Sequence, residues 1–495
     1  MAVIYSSPRS ESFTVQYHYD DLRCMPAPKK WRTCEPKCEV SNTPQVAADD
    51  VQCSPTERRQ TSPATVDLGN PTGETAFLGA GFIYGWPDNG TEADNSIPDS
   101  LVTGIKFNSC RAGGAQIPAK GWVDGGYDGY IGRFESALSN YRTTRKYNGD
   151  LILLVHDMWG ADGGTGSSSP FPGDNGDWSE TEAYLTQLIK DIKANDMLEG
   201  LVIDLWNEPD LDIFWARSWS QFLEYYVRAH QIFKRELPDT LISGPSMAHS
   251  PKLNDTNWQE WMSAVSEGQA IPDRYSWHQI GDWEREPDTT IPDFDALRAQ
   301  FGGLPEKPFD INEYAWPDEQ NPANSVYYLA QLERHNARGL RANWGSGSEL
   351  HDFMANLVYK SDDTYQPNGE WHLYNYYANM IGNRVATTAS SDRLFDVFAT
   401  TSDNSAKILA GTRTIQAAYD IAISGLSSLG LPEDGSVAVR TYRFDWNGAQ
   451  GAVDSPVDLG CSEQAYSADT VTLSIDPPTN STAFAFELSG GACSY

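Results

Sequence analysis

Positive charge is scarce in this chain: 36 Lys and Arg stand against 68 Asp and Glu in 495 residues, a formal charge of −32. A molecule with that field repels nucleic acid and anionic membranes, so neither is expected as a partner. Long apolar runs are missing as well. No stretch approaches the length needed to cross a bilayer, and the first 30 residues show no charged-then-apolar signal sequence. Cysteine is sparse, with seven in all. Cys24, Cys34, Cys38 and Cys53 are spaced irregularly and have no flanking histidines, which argues against a zinc site. No glycine-rich phosphate loop, Ser/His/Asp arrangement or metal-ligand cluster stands out, so no cofactor or metal is implied.

Aromatic residues are plentiful. The 16 Trp and 24 Tyr suit a surface that stacks on flat apolar ligand faces such as sugar rings, although ordinary core packing accounts for most of them. Acceptor triplets for N-glycosylation begin at Asn89, Asn254 and Asn480. Cys461 and Cys493 bracket the last β-rich stretch as a disulfide closing a small secreted domain would, two free thiols being the alternative. Secretion is expected on these grounds, with no export signal visible.

The chain reads as three segments. Residues 1–66 mix Pro, Ser, Thr and Gln with eight acidic and eight basic side chains and lack a hydrophobic period, so they read as disordered or as a mispredicted stretch in place of a signal peptide. Residues 67–383 alternate short apolar runs with amphipathic stretches, the pattern of parallel strands each followed by a helix. Eight strands are counted: Phe77–Tyr84, Gly104–Phe107, Leu151–His156, Leu201–Trp206, Leu241–Pro245, Tyr275–Gln279, Phe309–Glu313 and Leu340–Trp344. Helices are expected over Thr181–Asn195, Trp219–Glu236, Asn257–Glu267, Ala323–Asn336 and Trp371–Gly382. Eight such units close a (β/α)8 TIM barrel, whose active site lies at the C-terminal ends of the strands. Residues 384–495 change to alternating runs such as Phe395–Ala399 and Ala483–Leu488, expected to form a C-terminal β-sandwich.

Two strand ends carry the chemistry. Leu201–Asp210 runs from an apolar strand into Trp206, Asn207, Glu208 and Pro209, and the proline stops the ladder so that the Glu208 carboxyl turns into the cleft. A neighbouring indole desolvates that carboxyl and keeps it protonated. Phe309–Trp316 ends its strand in Asn312 and Glu313, across the mouth from Glu208. Two carboxylates so placed flank one glycosidic bond, one as general acid/base and one as nucleophile. Tyr275 or His278 on the sixth strand is expected to hold Glu313 ionised through a hydrogen bond.

With these residues the chain resembles clan A glycoside hydrolases, whose hallmark is Asn-Glu-Pro after the fourth strand, here Asn207, Glu208 and Pro209, and a glutamate ending the seventh, here Glu313. The resemblance implies retention of anomeric configuration, Glu208 as acid/base, Glu313 as nucleophile and Asn207 on the sugar 2-hydroxyl. Within the clan the chain looks most like fungal proteins assigned to glycoside hydrolase family 39, over about residues 70–495. Weaker candidates surround the pair. His156 at the end of the third strand is placed for a sugar hydroxyl, Arg111 resembles the arginine that supports the nucleophile in many clan members, and Trp344 is placed as a stacking platform. Trp206, His278 and Trp283 are further candidates for lining the cleft. The expectation is a secreted retaining glycosidase acting on plant or fungal polysaccharide, with a β-xyloside or arabinofuranoside substrate. The alternative is a barrel that binds carbohydrate without cleaving it.

Overall fold

The computed structural model describes residues 61–163, 167–281, 285–301, 304–491 and 493. Expectations for residues 1–60 and for Trp283 fall outside these. Thr56–Tyr495 form one compact unit.

The first described strand, β1 (Ala64–Glu74), belongs to a sheet completed only at the far end of the chain. The next eight form a closed parallel barrel: β2 (Gly81–Ile83), β3 (Ser109–Ala112), β4 (Asp150–Leu154), β5 (Leu201–Asp204), β6 (Leu241–Met247), β7 (Arg274–Gln279), β8 (Phe309–Tyr314) and β9 (Ala337–Arg341). Two positions differ from the sequence reading. Gly104–Phe107 is a turn and the second barrel strand is Ser109–Ala112; the eighth is Ala337–Arg341, so Trp344 lies three residues past its end. Both strands were disguised by buried charge. Arg111, Arg338 and Arg341 point into the protein because acids already there neutralise them: Asp204 and Glu313 for Arg111, Asp310 for Arg338, and Glu370 for Arg341.

The barrel interior follows the two-residue period of its strands. Ile152, Val202 and Leu340 form a small apolar cluster of their own. One step earlier along the strands, Asp310 takes Arg338, Arg274 and Ser243. One step later, Arg111, Asp204 and Asn312 carry the polar network that leads to the mouth. Helices jacket the barrel, and Trp219–Glu236 shows why they form where they do. The Ser218 side chain caps its start by accepting from the Gln221 amide, Phe222, Tyr225, Tyr226, Ala229 and Phe233 fall on one buried face, and Lys234 and Arg235 meet the negative end of the dipole. Among the described residues no helix is long and apolar enough to cross a membrane.

After a short hairpin, β10 (Val358–Ser361) with β11 (Thr364–Pro367), come β12 (Asn383–Thr388), β13 (Phe395–Ser402), β14 (Ser405–Thr412), β15 (Tyr419–Ser424), β16 (Gly435–Phe444), β17 (Val457–Tyr466), β18 (Thr470–Ile475) and β19 (Ala483–Ser489). With β1 they form one mostly antiparallel sheet in the order β17-β16-β19-β14-β13-β12-β1-β15-β18. Residues of β16 near one end and of β15 and β18 at the other share one hydrophobic core, so the sheet folds over itself as a β-sandwich. On β13 and β14 the alternation serves two cores at once. Val397, Ala399, Ile408 and Ala410 face the sandwich interior, while Phe398 and Leu409 pack on the barrel side. Cys461 and Cys493 are joined by a disulfide with their Cα atoms 5.6 Å apart.

Candidate active site

Glu208 sits on a sharp turn just beyond β5. Its backbone is left-handed, with φ 43°, an unusual conformation for a non-glycine residue and one that stores about 1–3 kcal/mol of strain. The turn is held by the Glu208 amide donating to Ser246 O at 2.9 Å and the Leu211 amide donating to Glu208 O at 3.0 Å. Glu313 rises from β8, opposite. Both side chains are nearly enclosed, 14 % and 13 % exposed, and their carboxylate oxygens come within 4.8 Å of each other.

Charge around the pair is arranged unequally. Arg111 Nη1 donates to Glu313 Oε1 at 2.7 Å, and Nη2 donates to Asn207 Oδ1 at 2.8 Å. The guanidinium is anchored from below by Asp204, which accepts from Arg111 Nε at 3.0 Å, Ser246 Oγ at 2.9 Å and Asn312 Nδ2 at 3.1 Å. His278, fully buried, places Nδ1 2.8 Å from Glu208 Oε1 and Nε2 3.7 Å from Glu313 Oε1. Burial pushes the imidazole down to about 4, so it is neutral at physiological pH. Burial, reinforced by the charge of Asp210, pushes the Glu208 carboxyl up to about 7. Burial also raises Glu313, but the touching guanidinium of Arg111 pulls it back. Where two close carboxyls compete for protons, the one that holds the cation ionises first. Glu313 is therefore the carboxylate and Glu208 the acid. The same distribution fixes the imidazole tautomer: Nδ1 accepts a hydrogen bond from the Glu208 carboxyl, and Nε2–H faces the Glu313 carboxylate.

Several expected residues lie elsewhere. Tyr275 does not reach the cleft; it is fully buried and its hydroxyl donates to Pro305 O at the N-terminal end of the barrel, so it plays no part in holding Glu313. Trp206, 1 % exposed, donates Nε1–H to Phe214 O and packs edge-on against Trp215 and Tyr225, which removes it as a sugar contact. His156 belongs to a helical turn, Val155–Trp159, and not to a strand end. It is 2 % exposed, its Nε2 lies 3.0 Å from Asp157 Oδ1, and its ring packs against Trp206 and Phe214. Trp344 is half-buried beside the mouth, its Nε1–H donating to Ala315 O at 2.9 Å. Arg111, Asn207, Glu208, His278 and Glu313 come together. The sequence reading passed over Asp204, whose signal was present: a lone acid ending the apolar run Leu201–Ile203 is buried and must have cationic or hydrogen-bonding partners.

The fold also assembles a donor set that no sequence motif announced. One imidazole and two carboxylates, from His278, Glu208 and Glu313, have ligand atoms within 4.8 Å of one another, a set able to hold a divalent cation. The guanidinium on Glu313 Oε1 opposes that use, since a second positive charge would have to share the same oxygen.

No family model matches the chain, and no curated protein matches it. Solved structures do. A structure of N2152 from Neocallimastix frontalis superposes with a TM-score of 0.67 at 17% identity, covering 87% of this chain and all of that one. The fold is one that glycoside hydrolases use. A glucosidase from Croceicoccus marinus matches with a TM-score of 0.59 at 16% identity over 88% of this chain and 100% of its own. A GH39 enzyme from Xanthomonas axonopodis pv. citri matches at 0.55 and 14% identity, over 87% and 98%.

Proposed function

We propose that this chain is a retaining glycoside hydrolase in which Glu208 is the general acid/base and Glu313 the nucleophile. The observation that carries the reading is the unequal pair: two facing carboxyls with oxygens within 4.8 Å, one raised to about 7 and one held by Arg111. Retaining enzymes place their carboxyls about 5–5.5 Å apart, whereas inverting ones need about 6.5–9.5 Å to admit a water.

In the first step Glu208 passes its proton to the glycosidic oxygen as the bond from that oxygen to the anomeric carbon breaks. Glu313 attacks the same carbon and forms an ester, and the aglycone leaves as an alcohol. Arg111 and His278 both stand on Glu313 Oε1, which leaves Oε2 for the attack. In the second step the Glu208 carboxylate takes a proton from water as its oxygen displaces Glu313, restoring both groups and the original configuration. Asn207, steered by Arg111 at 2.8 Å, is the group for the sugar 2-hydroxyl. A β-xyloside or arabinofuranoside of plant or fungal polysaccharide is the substrate class put forward, acted on outside the cell; the disulfide accords with an oxidising compartment.

The test is anomeric-proton NMR during early hydrolysis of aryl xylosides, arabinofuranosides, glucosides and galactosides. Retention on one sugar is the expected result and names the ring. Inversion would make Glu313 a base and overturn the double displacement. A chain that binds these sugars without turning any over would be the non-catalytic barrel.

A further inference from the structure

Where the barrel loops and the sandwich meet lies a cavity of about 660 Å³ lined by residues of both. We propose that this seam is a binding subsite for further neutral sugar units of the same glycan that Glu208 and Glu313 cleave. The sandwich thereby becomes part of the substrate-reading surface. This rests on the glycosidase reading above.

Three tryptophans, all partly exposed, form its aromatic walls: Trp316 and Trp344 from the barrel loops and Trp446 from the loop after β16. The largest indoles of the core, such as Trp258, Trp261 and Trp277, are wholly buried, so these three differ in being partly exposed. Trp316 and Trp344 meet at 4.7 Å and 67°, a corner that offers an indole face on each of two sides. Apolar faces of sugar rings stack on such indoles, and a cavity of this size is within the range of ligand sites. It lies toward the same C-terminal end of the barrel as the reacting centre, since Trp316 stands two residues past β8, which carries Glu313, and Trp344 three residues past β9.

The corner is built and held rigid. Glu319, 1 % exposed, accepts the Trp316 amide on Oε2 at 2.9 Å, and on Oε1 it accepts Arg413 Nε from the sandwich at 3.1 Å. Arg413 is 6 % exposed and stacks against Tyr327 and Tyr328. A buried ion pair is an expensive way to join two domains if joining is its sole purpose, and its evident effect here is to fix the loop that carries Trp316. Polar groups suited to sugar hydroxyls, among them Asp318, stand on the same walls.

The lining also selects. None of the described residues around the cavity is basic, and the chain carries a charge of −32. Uronic-acid units would enter against repulsion with no cation to receive them, which points to neutral units. Asn480 lies on the rim and opens the triplet Asn480-Ser481-Thr482, so a glycan carried there would contend for the space.

The experiment titrates a panel of neutral hexasaccharides, xylohexaose, cellohexaose and mannohexaose, and one oligogalacturonate against the full chain by calorimetry. It then repeats the titration with Trp446→Ala and Trp446→Phe, and melting curves check that both variants are folded. At least one neutral hexasaccharide is expected to bind, with affinity falling tenfold or more in Trp446→Ala and partly restored in Trp446→Phe, while the oligogalacturonate does not bind. In kinetics, Trp446→Ala should lower kcat/KM for that hexasaccharide at least tenfold more than for the aryl monoglycoside of the same sugar. Equal losses on both substrates would overturn the subsite, as would hexasaccharide binding indifferent to Trp446, no neutral binding at all, or binding that appears only after a glycan on Asn480 is removed. A chain that hydrolyses no glycoside yet loses hexasaccharide binding in Trp446→Ala would sink the glycosidase reading and leave the subsite standing.

Discussion

His278 meets Glu208 at 2.8 Å through Nδ1, and with its own affinity for protons depressed to about 4 it accepts that acid's hydrogen bond without taking the proton. Replacing His278 with Ala removes the acceptor and lets water reach the carboxyl, and both changes favour the charged form of Glu208. The basic limb of the pH–rate profile is expected to move below its wild-type position. With the acid misplaced, kcat should fall about tenfold to a hundredfold. A variant with an unmoved limb would show that the imidazole serves packing alone.

For the wild type the rate should fall as pH rises through about 7, where Glu208 loses its proton, and again at low pH as Glu313 gains one. Stability follows the same group. A carboxyl raised above its unfolded value favours the fold fully below the unfolded pKa, and this contribution is lost as pH rises through the folded one. Glu208→Gln keeps the shape and removes the titration. Its stability relative to wild type should therefore climb between pH 4.5 and about 7 and level off above. The gain is bounded at about 3 kcal/mol. Urea unfolding at four pH values reads it; a difference that stays flat across that window would mean Glu208 is not raised.

Chemistry separates the two glutamates. Glu208→Gln should slow hydrolysis of a natural glycoside about a hundredfold to ten-thousandfold and recover on aryl glycosides whose leaving group needs no proton. Glu313→Gln should lose at least about ten-thousandfold on every substrate. Near-normal turnover of a natural substrate by either variant would remove that residue from its role.

Arg111 is neutralised by Asp204 and Glu313, so Arg111→Met leaves two buried carboxylates facing each other. A loss of about 3–5 kcal/mol is expected by chemical denaturation. Adding Asp204→Asn should restore part of the stability while leaving turnover low, because Glu313 still lacks its cation. Equal recovery of both would mean Arg111 acts only as structural filling.

How far the sequence could be read depended on where charge was buried. β8 and the helix Trp219–Glu236 were plain because their apolar residues keep the period of the element. Asn-Glu-Pro announced itself by its position after an apolar strand. Strands β3 and β9 were misplaced by several residues because arginines occupy their inward positions, and a pattern read on hydrophobicity steps past an ion pair to the next apolar run. Tyr275 was assigned to the mouth although it stands three residues before His278 on β7 and so on the opposite face of the strand, where its ring packs against Trp261 and Phe294 of the outer helices. The link from Arg413 to Glu319 spans 94 residues and two domains, and no local pattern encodes it.

The place of β1 bears on how the molecule is made. It lies between β12 and β15 in the sheet, so β15 and β18 join the remaining strands through it. Its pairing of Thr65 with Thr388 closes a loop of 323 residues. Closing so long a loop costs only a little more entropy than a shorter one, but it delays the event. On a ribosome the barrel can assemble as it emerges, while β1 waits unpaired until more than three hundred further residues have been translated. During that interval its backbone is an open edge able to pair with a neighbouring nascent chain. The sandwich thus depends on a strand made more than three hundred residues before its partner, and slow translation would prolong the hazard.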